Sequence, residues 1–174
     1  MKRILLSGVT VFFSIFFYQT AAATVVRYEL TDLGDNSFKY IYTIENDTLQ
    51  VPVEQFTIWF DEQLYDNLQI ATQLPLANDW DELVLPSTGF GIPLGYDALA
   101  LTGGISVGNS ASGFSVTFNW LGQGLPVSQP FEIFNPTNSQ AIDSGYTIPE
   151  PATILFFAAG GLMYFQKKYG LTCS

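Results

Sequence analysis

Carboxylates are the reactive side chains this chain has in greatest supply: sixteen Asp and Glu stand against six Lys and Arg, with no His at all. Two clusters, Asp79-Trp80-Asp81-Glu82 and Asp61-Glu62, place acids side by side. Asp79, Asp81 and Glu82 can offer the oxygen ligands that Ca²⁺ takes, although the full Asp-x-Asp-x-Asp-Gly loop is absent and solvated acidic loops account for the same residues. A pair of carboxylates about 5–10 Å apart can also act as acid and base in glycoside hydrolysis, the one hydrolase scheme that the missing histidines leave open. In so acidic a chain, some pair reaches that spacing by chance. Trp80, flanked by Asp79 and Asp81 in an expected loop, can present a flat ring to a sugar. Trp59 and Trp120 lie in alternating segments where core packing explains them. The glycine pairs at 89–91 and 122–124 open no helix and have no lysine beside them, so they read as turns rather than phosphate loops.

The placement of charge narrows the function classes. Of the six cations only Arg27 and Lys39 fall between residues 24 and 150, while all sixteen acids do, so that stretch carries 2 − 16 = −14. Nucleic-acid binding is excluded, because phosphate contacts need Lys and Arg gathered on one face. Catalytic triads built on histidine and histidine-ligated metals are excluded with it. The single cysteine, Cys173, lies in the extreme tail and reads as an incidental thiol. Without disulfides, residues 24–147 have to fold on their own apolar core, and they are numerous enough to do so as one domain.

The elements that position these residues read as strands. Phe38, Tyr40, Tyr42 and Ile44 alternate with Lys39, Ile41, Thr43 and Glu45, and Phe114, Val116, Phe118 and Trp120 alternate with Ser115, Thr117 and Asn119. A period of two sends one set inward and the other outward. Segments 26–30, 56–60 and 131–134 continue the pattern, divided by turn chemistry at 34–37, 45–48, 102–104 and 135–138. No stretch of ten residues keeps a helical period. The expected fold is all-β, an antiparallel β-sandwich of roughly 7–9 strands.

Both ends carry a different kind of signal. Lys2 and Arg3 precede an apolar run over 4–18, and Ala21 and Ala23 then stand in the A-x-A relation that signal peptidase reads, predicting cleavage after Ala23. Residues 1–23 are therefore expected to be a signal peptide that engages the Sec translocon and is removed. At the other end Ile148-Pro149-Glu150-Pro151-Ala152-Thr153 leads into an apolar stretch over 152–166, followed by Lys167 and Lys168 in a basic tail of 167–174. Prolines on both sides of Glu150 hold that stretch extended, as a processing enzyme needs. The lysine pair predicts a transmembrane helix with its tail in the cytoplasm and the acidic domain outside.

This tail resembles the PEP-CTERM sorting signal of Gram-negative bacteria, in motif, order and position. The resemblance implies recognition by an exosortase at Pro149, Glu150, Pro151, Ala152 and Thr153, after a transient inner-membrane anchoring with the domain in the periplasm. It implies a non-catalytic protein delivered to the cell surface or extracellular matrix, in association with exopolysaccharide and biofilm. An extracellular carbohydrate-binding module built on Trp80 is the alternative, and a carboxylate-based glycosidase a more distant one. No cofactor is expected beyond the Ca²⁺ that Asp79, Asp81 and Glu82 would hold.

Overall fold

A computed structural model describes residues 24–47, 49–87 and 93–150. The expected signal peptide, with Ala21 and Ala23, and the tail from Pro151 onward, with Ala152, Thr153, Lys167 and Lys168, lie outside the described residues.

Among the described residues, ten strands and one four-residue helix follow each other. They are β1 (Val25–Gly34), β2 (Ser37–Glu45), β3 (Gln55–Phe60), β4 (Tyr65–Ile70), α1 (Leu76–Asp79), β5 (Trp80–Leu85), β6 (Leu94–Ala100), β7 (Ser110–Trp120), β8 (Pro130–Asn135), β9 (Gln140–Tyr146) and β10 (Ile148–Pro149). The fold is a β-sandwich: one sheet has the order β10-β1-β2-β7-β4 and the other β5-β6-β3-β8-β9. Every pairing is antiparallel except that of β10 with β1.

Alternation explains the core. In β2 it buries Phe38, Tyr40, Tyr42 and Ile44, in β3 Phe56, Ile58 and Phe60, and in β7 Phe114, Val116, Phe118 and Trp120. These faces meet between the sheets, with Phe56 edge-on to Phe114 at 5.0 Å and Tyr42 stacked on Tyr96 at 6.4 Å. Each such side chain contributes about 1.5–3 kcal/mol through burial, which is how a cysteine-free domain holds together. Turn chemistry closes the hairpins: Asp35 and Asn36 both take positive φ between β1 and β2, the conformation of a type I′ turn. In β7, Gly113 at φ 108° accommodates a bulge, so that Tyr42 faces Phe114 while Thr43 faces Ser112.

Strands β4, β5, β6 and β9 extend the sandwich beyond the segments that alternation picks out most clearly. The correction that bears on function is β5. Trp80 opens this strand rather than sitting in a loop, because Trp80, Glu82 and Val84 point toward the sandwich interior while Asp81 and Leu83 point out.

A polar knot sits inside the apolar core. Gln129, 1% exposed, donates through Nε2 to the hydroxyls of Tyr40 (2.8 Å) and Tyr65 (2.9 Å) and accepts at Oε1 from Tyr42 (3.2 Å) and Thr147 (3.2 Å). The Gln129 backbone N–H in turn donates to Thr147 Oγ1 at 2.9 Å, and the Thr147 N–H to the Gln129 carbonyl at 2.8 Å. Buried polar atoms cost little when each finds a partner, and this cluster supplies partners reciprocally.

Candidate functional site

The outer face of the second sheet carries a partly exposed aromatic side chain expected from the sequence to lie in the core. In β3 the residues Phe56, Ile58 and Phe60 enter the core, so period two turns Gln55, Thr57 and Trp59 outward. Trp59 is therefore not a core residue, and the packing explanation given for it fails on strand parity. Across the sheet, Trp59 lies opposite Gly95 of β6, while on β8 Thr57 faces Glu132 and Gln55 faces Phe134.

Two contacts fix the indole. A Cβ on Gly95 would stand only 2.9 Å from Trp59 Cζ3, so the six-membered ring covers that glycine and only glycine leaves it room. On the other side of β3, Trp59 Nε1 donates to Glu132 Oε2 at 2.8 Å. With one end against Gly95 of β6 and the other bonded to Glu132 of β8, the long axis of the ring runs across β3.

Two depressions flank this indole. One, of about 450 Å³, is lined by Trp59, Pro130, Glu132, Ser144 and Tyr146, among others. Tyr146, paired with Pro130 at the end of β9, is 70% exposed. The other, of about 230 Å³, is lined by Gln55, Thr57, Trp59, Asp97 and Phe134 among others. Here Thr57 Oγ1 donates to Asp97 Oδ1 at 2.5 Å, and Gln55 Nε2 reaches both Asp97 oxygens at 3.2 Å. The arrangement is a shallow aromatic floor with a rim of fixed acceptors and donors. It suits a flat ligand rich in hydroxyls rather than a reaction needing a closed site.

Trp80 offers no platform. It is 6% exposed, packed edge-on against Phe114 at 5.0 Å and tilted against Phe56 at 5.8 Å, because inward strand parity delivers its ring to the core. Only an edge of it reaches a depression of about 630 Å³ between α1 and the loop after β6, where Asp79 also lies. Trp120 packs in the core as expected and donates through Nε1 to the Gly124 carbonyl at 3.1 Å.

The acidic cluster does not converge. Asp79 and Asp81 are exposed, while Glu82 faces the other way and accepts from the Tyr96 hydroxyl and from Thr72 Oγ1, the latter at 2.6 Å. Burial, reinforced by Glu82, pushes the Tyr96 hydroxyl well above the usual phenol value. Asp61 serves its own turn, accepting from the Gln63 N–H at 2.9 Å, and Glu62 stays exposed. Among the described residues, no three His, Cys, Asp or Glu side chains gather as a metal site would require. Nor do two carboxylates share any of four depressions among the described residues: the two beside Trp59 and the two lined by Asp79 and by Glu54 hold one each.

The start of the tail motif is part of the sandwich edge. Ile148 and Pro149 run parallel to β1 opposite Arg27 and Tyr28, and the Glu150 N–H donates to the Tyr28 carbonyl at 2.9 Å. Proline is tolerated there because an edge strand has a side that needs no donor. The Glu150 carboxylate accepts from Thr43 Oγ1 at 3.3 Å, close to the Arg27–Glu45 ion pair, whose Nε–Oε1 distance is 2.8 Å. The Glu45 hydrogen bond is the largest influence raising the Arg27 pKa, with Glu150 a smaller one.

By this architecture the chain is an all-β sandwich of two mainly antiparallel sheets. It is similar to a protein from Nocardia farcinica with an immunoglobulin-like fold, at a TM-score of 0.51 and 12% identity over 67% of this chain and 80% of that one. A family 3b carbohydrate-binding module from Clostridium clariflavum aligns at a TM-score of 0.45 and 13% identity, covering 69% of this chain and 94% of that one. At such identities likeness concerns the fold alone. No protein-family model matches the chain, and no curated protein does.

Proposed function

We propose that this is an exported, non-catalytic surface or matrix protein, sorted and processed by an exosortase through its C-terminal motif. The observation that carries the reading is the order of the tail: Pro149-Glu150-Pro151, then an apolar span, then Lys167 and Lys168. A signal-peptide pattern at the other end, with Ala21 and Ala23 at its cleavage site, is consistent with it. The fold supports it in one respect, since Ile148 and Pro149 lie extended along the sandwich edge instead of in the core. The absence of histidine from the chain and the lone carboxylate in each of four depressions support a binding or structural role over hydrolysis. The protein would pass through the inner membrane with its domain in the periplasm before reaching the surface.

Replacing Pro149, Glu150 and Pro151 together by alanine tests the reading in cells. The variant should remain in the membrane fraction and retain the mass of its C-terminal segment. Unchanged surface display and an unchanged C-terminal mass relative to the native chain would refute processing at the motif.

A further inference from the structure

From the outer face of the second sheet we infer a binding site for the neutral sugar rings of a polysaccharide, centred on Trp59 and Tyr146. The site does not depend on how the tail is processed. Its first element is the indole laid across β3, one end over Gly95 and the other bonded to Glu132. Fixed by neighbours at both ends, it can meet a ligand at little cost in side-chain entropy, and a pyranose ring stacks on an indole through its C–H groups.

The second element is Tyr146, 70% exposed at the end of β9 and in the same depression of about 450 Å³. Its ring is open to solvent and borders the same depression as Trp59, so both aromatic side chains are within reach of one ligand. The third is the polar rim. Glu132 and Ser144 border the depression with Tyr146, while Gln55, Thr57 and Asp97 border a separate one, and Trp59 lines both. A carboxylate has about four acceptor positions, so Glu132 and Asp97 keep capacity for ligand hydroxyls beyond the bonds they already accept.

Charge decides the kind of sugar. Among the described residues the only cations, Arg27 and Lys39, belong to β1 and β2 of the other sheet, whereas Asp97 and Glu132 stand on this face. Uronic-acid polymers would meet like charge here, and neutral glycans would not.

The test uses the full-length chain, purified in a detergent without a sugar headgroup, and affinity electrophoresis through soluble neutral polysaccharides (a β-glucan, dextran, galactomannan and xylan) and through polygalacturonate. At least one neutral polymer should retard the protein, and polygalacturonate should retard it less. Tyr146→Ala, at an exposed position that leaves the melting temperature unchanged, should weaken retardation by about tenfold, as loss of an aromatic anchor does. Trp59→Phe should abolish the change in tryptophan fluorescence on binding, because Trp80 and Trp120 are buried. Failure of every neutral polymer to bind, stronger binding of polygalacturonate, or retardation indifferent to both substitutions would overturn the assignment. A negative result here leaves the tail reading standing, and unprocessed tails would leave this site untouched.

Discussion

Tyr40, Tyr42 and Tyr96 are 0% exposed, and burial is the main reason each hydroxyl is held well above the ordinary phenol value of 10.0. Burial raises Tyr28 and Tyr65 in the same direction. A raised value means that the folded chain keeps a proton which the unfolded chain gives up above pH about 10, so the stabilisation is complete below that pH and declines above it. Each fully buried tyrosine then removes about 1.4 kcal/mol per pH unit, and the three together about 4 kcal/mol per unit. A domain stable by about 5–15 kcal/mol would exhaust that within about 1–4 units above pH 10, with Tyr28 and Tyr65 steepening the fall. In an alkaline titration, the phenolate absorbance contributed by these buried tyrosines should therefore appear in the same cooperative step in which the far-ultraviolet circular dichroism is lost. Gradual ionisation of these buried tyrosines while the sheet signal persists would refute the argument, since it would mean that their hydroxyls reach water in the folded state.

Two substitutions probe the scaffold that positions the site. Thr147→Val keeps the shape of the side chain but removes the hydroxyl that accepts from the Gln129 N–H and donates to its Oε1. It should cost about 1–3 kcal/mol in a denaturant titration, and an unchanged midpoint would show that water fills the gap without penalty. Gly104→Ala meets two obstacles, a φ of +63° and a Val53 carbonyl oxygen 2.4 Å from the new Cβ. It should lower the melting temperature by the equivalent of more than about 1 kcal/mol and open the bridge between Val53 and Ile105. Full stability in this variant would mean that the loop after β6 relaxes freely.

How far the sequence revealed the site depended on the range of the contacts involved. The alternation in 56–60 already separated Trp59 and Thr57 from Phe56, Ile58 and Phe60, and only the assumption that an alternating segment packs its tryptophan inward obscured it. Strand β5 was harder to see because Glu82 occupies an inward position. A buried-side carboxylate breaks the apolar pattern, and it is satisfied by Thr72 and Tyr96, which lie 10 and 14 residues away in the chain. Gln129 gave no local sign at all, since its partners Tyr40, Tyr42 and Tyr65 come from strands 64 to 89 residues distant. The depression beside Trp59 likewise exists only once β8 pairs with both β3 and β9. Local periodicity carries strand identity and facing. Pairing order across the sheet, which loop closure between remote segments decides, is not written in any single window.

The C-terminal end of the domain joins the two surfaces more tightly than their separation into different sheets suggests. Tyr146 closes β9 in the second sheet and Ile148 opens β10 in the first, with the single buried residue Thr147 crossing between them. Thr147 is fastened to Gln129, and Gln129 to three core tyrosines, so the crossing is anchored rather than loose. Tension applied through the tail would thus be taken up at the knot before it could displace Tyr146. The same geometry limits where a processing cut can fall. A break before Pro149 would remove the Pro149–Tyr28 half of the β10 register and the Glu150 bond, whereas a cut on the C-terminal side of Glu150 keeps the bond from its N–H to the Tyr28 carbonyl. Processing that leaves Glu150 on the domain is the form compatible with an intact sandwich edge, and it would hold a sugar bound beside Tyr146 close to whatever the new C-terminus is attached to.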